Sequence, residues 1–131
     1  MTSAAPFTPL TFPAAVVKGA GRGRTIGSPT LNLALNDIPR NLKSGIYACR
    51  VRWNRRTFSA AMHYGPRPVF HDSVACEVHI IGHVIHRSPL RVRVEIVKRL
   101  RSIRDFQTVA LLQAQIQRDI EKTRKVLGNR E

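Results

Sequence analysis

The sequence predicts a mainly β domain, an antiparallel barrel or sandwich, closed by one C-terminal α-helix. Three observations carry this. The chain has 131 residues, the size of one ordinary domain, and 43% are hydrophobic, enough for one packed core. From Phe12 onward it is a series of short apolar runs separated by Gly, Pro and Asn clusters, several with period-two alternation. Near Thr108 the period changes to that of a helix.

The elements follow in order. Residues Met1 to Pro9 are small and polar with two prolines and read as a poorly ordered arm, so the expected division is an arm over 1–10 and a domain over 11–131. Ala14 to Lys18 is a short apolar run stopped by Gly19, and Asn32 to Leu35 a brief strand before the Asp37-Ile38-Pro39 turn. Gly45 to Arg52 alternates, with Ile46, Ala48 and Arg50 on one face and Tyr47, Cys49 and Val51 on the other. Arg56 to Tyr64 and Val74 to Ile81 are further runs, ended by Gly65-Pro66 and Gly82. Leu90 to Leu100 is the clearest strand: Val92, Val94 and Ile96 alternate with Arg91, Arg93 and Glu95. The last segment places Val109, Leu112, Gln113, Ile116, Ile120 and Thr123 or Leu127 at helical spacing, with Leu111 widening the stripe. Thr108 is its N-cap, and Lys122, Arg124 and Lys125 complement the helix dipole before the stop at Gly128-Asn129. The Gln/Arg/Lys face of this helix reads as solvated surface.

Composition narrows the function classes. No segment approaches the roughly 20 apolar residues that span a bilayer, and the N-terminus has no secretory pattern. The expectation is a cytoplasmic protein, monomeric, with no membrane partner. Cys49 and Cys76 each sit in an apolar run and read as buried thiols, not as a zinc or disulfide framework. Lys plus Arg is 22 against 8 acids, a formal charge of +14. That excess attracts polyanions without choosing among nucleic acid, acidic membrane and phosphorylated small molecules.

The stretch Gly19 to Asn32, GAGRGRTIGSPTLN, carries the chemistry. Gly19, Gly21, Gly23 and Gly27 leave backbone amides uncovered for an anion, and Arg22 and Arg24 add forked donors for phosphate oxygens. No Gly-Lys-Ser/Thr follows, so it is not a Walker A loop. Pro29 stands where a Rossmann helix would start. Thr30 and Asn32, two apart on an extended chain, point to one side as hard oxygen donors suited to Mg²⁺ and phosphate. Read alone, they serve equally as turn and cap residues. Glu77 is the acid in the middle of an apolar strand, placed to act as a general base or simply to face solvent. Glu77 and His79 share a strand face, which also invites a metal-site reading; His83 follows nearby.

The string GRGRTIGSPTLNL closely resembles the glycine-rich segment and Pro-Thr-Ala-Asn motif of the riboflavin kinases, including the kinase module of bacterial bifunctional FAD synthetases. The resemblance continues in order through Gly45-Ile46-Tyr47, Gly65-Pro66-Arg67-Pro68-Val69-Phe70, Glu77-Val78-His79-Ile80-Ile81, Arg99-Leu100-Arg101, Phe106, and Gln115-Ile116 with Asp119-Ile120. It spans about Phe12 to Leu127. It implies a six-stranded antiparallel Greek-key barrel with a C-terminal helix, and transfer of the ATP γ-phosphate to the ribityl 5′-hydroxyl of riboflavin, giving FMN and ADP. Carried over residue by residue, Thr30 and Asn32 match the metal and nucleotide positions and Glu77 the catalytic base. Gly19, Gly21, Arg22, Gly23, Arg24 and Gly27 match the flap over the phosphates, and Arg101 an arginine near the flavin end. Mg²⁺ is the implied metal, with Mn²⁺ or Zn²⁺ as alternatives.

Departures cluster at the flavin end. Ser28 replaces an aromatic, His63-Tyr64-Gly65 stands for Asn-Ile-Gly, Gly82 to Pro89 replaces an acidic turn, and Ser102-Ile103 an acidic pair. Thr30, Asn32 and Glu77 remain, so phosphoryl transfer is expected more firmly than the acceptor. No adenylyltransferase domain precedes the barrel in this sequence, and the start at Met1 suggests a complete protein, so the product is expected to be FMN and not FAD. Two other readings stand beside the kinase: a basic nucleic-acid-binding barrel, with Trp53, Tyr47 and Tyr64 as the candidates for stacking, and a barrel that binds flavin or nucleotide without turnover.

Overall fold

The computed structural model describes residues 10–18, 29–66 and 74–128. Six strands, β1 (Leu10–Val17), β2 (Thr30–Leu33), β3 (Gly45–Trp53), β4 (Arg56–Pro66), β5 (Val74–Ile80) and β6 (Arg91–Arg101), precede one helix, α1 (Val109–Leu127). The strands close into an antiparallel barrel in the order β1-β2-β5-β4-β3-β6. β3, β4 and β5 form a meander. β6 returns beside β3 and β2 lies beside β5, so two Greek keys overlap on that meander.

Alternation makes the core. Tyr47, Cys49 and Val51 of β3, Phe58, Ala60 and Met62 of β4, Cys76, Val78 and Ile80 of β5, and Val92, Val94 and Ile96 of β6 fill the interior. The β3–β4 hairpin turns on Asn54 (φ 49°) and Arg55 (φ 62°), between the paired Trp53 and Arg56. Two residues in this left-handed region make the tight turn whose twist matches the strands. Burial pushes the thiol of Cys49 well above its ordinary value and that of Cys76 up to about 12, so both are neutral core thiols.

Some elements differ from the expectation. β1 begins at Leu10, with Leu10 already paired to Ile96, while residues 1–9 lie outside the described residues. Leu35 is not in a strand: Leu35–Asp37 is a 3-10 turn that brings the Asp37 carboxylate to the Ala15 amide, 2.9 Å away.

The largest difference is the face that α1 buries. Thr108 caps the helix, its hydroxyl accepting from the Leu111 amide, and Gly128 ends it at φ 82°. Yet Val109 and Leu111 are exposed, and the line turned inward is Leu112, Gln115, Asp119, Thr123 and Leu127. Gln115, from the face read as solvated, and Asp119, outside the expected stripe, therefore lie against the barrel, because Asp119 has a partner there. Arg101 at the end of β6 donates from Nε to Oδ1 (2.9 Å) and from an Nη atom to Oδ2 (2.8 Å) of Asp119. Gln115 donates to the same carboxylate at 3.0 Å. A planar fork on a carboxylate fixes orientation as well as distance. The helix is thereby latched over the outer face of β3, β4 and β6.

Candidate active site

Leu31 and Leu33 point into the barrel, so Thr30 and Asn32 point out, half-buried. On β5 the inward residues are Cys76 and Val78, and Glu77 and His79 point out. The register of β2 on β5 aligns the two outward sets: Asn32 lies opposite Glu77 and Thr30 opposite His79. On the other side of β5, His63 of β4 lies opposite Glu77 and Ala61 opposite His79. Residues directly opposite on antiparallel strands have Cα atoms about 4.5–5.5 Å apart and side chains in contact range. A row Asn32–Glu77–His63 therefore crosses three strands, with Thr30 and His79 in the next row.

The row has a wet and a dry end. Thr30, Asn32 and Glu77 are partly accessible, whereas His63 and His79 are buried. Burial, reinforced by the neighbouring His63 and opposed by Asp119, lowers the pKa of His79 to about 4. His79 is thus neutral near pH 7, and its Nδ1 has no hydrogen-bond partner among the described residues. His83 lies elsewhere, edge-on to Phe58 at 4.9 Å, and belongs to the packing of that end of the barrel.

Beside Asn32 the ends of β1, β2 and β5 leave a cleft of about 350 Å³. Val17, Leu35 and Val74, each nearly half exposed, give it apolar walls, and Lys18 and Asn36 stand at its polar edge. The glycine segment Gly19, Gly21, Arg22, Gly23, Arg24 and Gly27 lies outside the described residues, as does Arg67 to Ser73.

Among the described residues no group of three His, Cys, Asp or Glu side chains could hold a metal. The donor chemistry of Thr30 and Asn32, a neutral hydroxyl and a neutral carboxamide on one face beside a carboxylate, fits a hard divalent cation that takes its remaining ligands from water and phosphate. Arg101 does not point free into this region: its hydrogen bonds run to Asp119 and, at 2.9 Å, to the Ser102 carbonyl. His63 is the neighbour of Glu77 that sequence reasoning noted only as a departure from a motif. Its place opposite the carboxylate depends on the β4–β5 register, which no local pattern encodes.

A six-stranded antiparallel Greek-key barrel closed by one C-terminal helix is a riboflavin kinase-like fold. The chain matches the riboflavin kinase (flavokinase) family over residues 7–127, and it belongs to that family. It is 29% identical over 118 residues to the bifunctional riboflavin kinase/FMN adenylyltransferase of Bacillus subtilis, covering 87% of this chain and 37% of that protein. It is 32% identical to the protein of the same name from Listeria monocytogenes, covering 88% and 38%. The chain thus spans well under half the length of these curated relatives. Among solved structures, it is similar to the riboflavin kinase of Trypanosoma brucei (TM-score 0.62, 19% identity, covering 95% of this chain and 83% of that one), a likeness of fold. A Streptococcus pneumoniae chain described as a macrolide-efflux protein superposes with TM-score 0.76 and 33% identity over 88% of this chain and 38% of that one. Among the described residues of this chain, no helix is long and apolar enough to cross a membrane.

Proposed function

We propose that the chain phosphorylates riboflavin at the ribityl 5′-hydroxyl, consuming ATP and giving FMN and ADP. The observation that carries this reading is the register that sets Asn32 opposite Glu77, with Thr30 on the same outward face. A primary alcohol is a weak nucleophile at neutral pH. In this reading Glu77 accepts the hydroxyl proton as the oxygen–phosphorus bond forms and the bond to the ADP oxygen breaks. Thr30 and Asn32 orient the phosphates, and the glycine-rich amides with Arg22 and Arg24 neutralise their charge. A divalent cation bound at Thr30 and Asn32, Mg²⁺ by the donor chemistry, would supply further neutralisation of the phosphates. The cleft walled by Val17, Leu35 and Val74 would hold the base of the nucleotide. Arg101, through Asp119, would hold α1 in place beside the flavin end.

The test is FMN formation from riboflavin and MgATP, followed by chromatography. Glu77→Gln should lower kcat by about 10²–10⁴-fold, the range general-base catalysis contributes, with little change in the KM for MgATP. Thr30→Ala should raise that KM. Full activity in both variants would remove the assigned roles. Riboflavin binding without FMN formation in the parent protein would leave a barrel that binds and does not turn over.

A further inference from the structure

The kinase reading uses none of the charge on the opposite side of the barrel. Because Val92 and Val94 of β6 and Val51 of β3 point inward, Arg91, Arg93 and Glu95 of β6 and Arg50 and Arg52 of β3 point outward. The register sets Arg50 opposite Glu95, an ion pair at 3.5 Å, and Arg52 opposite Arg93. Two like charges directly opposite on neighbouring strands weaken a sheet. The flanking strands offer no carboxylate to offset them: Thr57 of β4 lies opposite Arg52, and Pro13 of β1 opposite Arg93. The β3–β4 turn adds Arg55 and Arg56 at the same end. There the guanidinium of Arg56 sits 5.0 Å over the Phe58 ring, which stacks on the half-buried Trp53 at 4.2 Å.

We propose that this face, Arg52, Arg55, Arg91 and Arg93, binds single-stranded nucleic acid. Arginine supplies forked donors that match phosphate oxygens. Alternate strand positions repeat them about every 6.6–6.8 Å along β6. Trp53 alternates with Tyr47, Cys49 and Val51 and packs with Phe58 against the core, so the contact is to the phosphates and is indifferent to base identity. A convex barrel meets a stiff duplex along a narrow line, whereas a flexible single strand follows its curve. Between the arginines the outward neighbours are Thr57 and Pro13, and the exposed Leu90 stands at the edge of the patch beside Arg91.

The test is fluorescence anisotropy with labelled 15-nucleotide oligo(U) RNA and oligo(dT) DNA. With four phosphate contacts the single-strand salt slope is about −2.8, so affinity should fall about 50-fold between 50 and 200 mM salt. The Arg52→Gln/Arg93→Gln variant should halve that slope, to about a 7-fold fall over the same range. It should melt no lower than the parent and form FMN at the parental rate. Removing two charges elsewhere, by Lys122→Gln/Lys125→Gln on α1, should leave the slope unchanged. The proposal is overturned by no binding at 50 mM salt, by equal losses in the two double variants, or by sedimentation of the protein with phosphatidylserine vesicles while oligonucleotides produce no shift. Absence of FMN formation in the parent would bear on the kinase reading alone, since the arginine face shares no residue with that site.

Discussion

Replacing Asp119 by alanine tests how the helix is held. The side chain is 6% exposed and accepts three bonds of 2.8–3.0 Å, two from the Arg101 fork and one from Gln115. Its removal leaves the Arg101 guanidinium, 16% exposed, without its counter-charge. Breaking a buried ion pair from one side costs about 3–5 kcal/mol. One edge of Arg101 still bonds the Ser102 carbonyl, which places this case near the lower end, about 3 kcal/mol. Against a total stability of about 5–15 kcal/mol, that corresponds to a fall in Tm of about 10 °C for a domain of this size. The sharper arm is the double variant Arg101→Met/Asp119→Leu. It removes both charges and keeps the volume, so its stability should lie within about 1 kcal/mol of the parent. Urea unfolding followed by circular dichroism measures the parent, Asp119→Ala, Arg101→Ala and the double variant. A loss below about 1 kcal/mol in Asp119→Ala, or a double variant as destabilised as the sum of Asp119→Ala and Arg101→Ala, would refute the latch.

Two further outcomes follow from buried groups. His79, with its pKa lowered to about 4, stays neutral in the fold while the unfolded chain protonates near 6.5. Its contribution is therefore complete above about pH 6.5 and declines as the pH falls toward 4, by about 2–3 kcal/mol at pH 4.5. Urea titrations at pH 7 and 4.5 should show this loss in the parent and a smaller one in His79→Gln; equal losses would contradict the assignment. At Gly45 an added Cβ would stand 2.8 Å from the Arg101 carbonyl oxygen and 2.7 Å from Arg99 Nε. Backbone cannot yield as a flexible side chain does, so Gly45→Ala should destabilise by about 1–3 kcal/mol, the usual cost of overpacking, and a melting curve matching the parent would show that β3 can shift.

Much of the fold could be read from local pattern. Alternation in β3 placed Ile46, Ala48 and Arg50 on one face and Tyr47, Cys49 and Val51 on the other; the second set lines the barrel interior, and of the first Ile46 and Ala48 are buried as well while Arg50 is partly exposed. Thr108 and Gly128 were legible for the same reason: capping is local chemistry. The inward turn of Gln115 and Asp119 was not legible. Their partner, Arg101, lies on another element, and a helix stripe judged by hydrophobicity alone favoured Val109 and Leu111. The pairing of Asn32 with Glu77 was equally hidden, since register between strands separated by two others is a property of the closed barrel. Residue type nominated Thr30, Asn32 and Glu77; geometry put them on one face and added His63.

The ring closure itself has a consequence for how the protein is made. β1 leaves the ribosome before the other five strands, yet most of its hydrogen-bonding partners are on β6, where Leu10 meets Ile96 and Ala15 meets Arg91. Synthesis runs from the N-terminus, so this strand waits with an open edge until the last strand emerges. The β3–β4–β5 meander needs no such delay, being built of neighbours in sequence. The β2–β5 seam that aligns Asn32 with Glu77 belongs to the long-range pairings. A nascent chain halted before β6 would carry Thr30, Asn32, His63, Glu77 and His79 and still lack the ring that holds them in place.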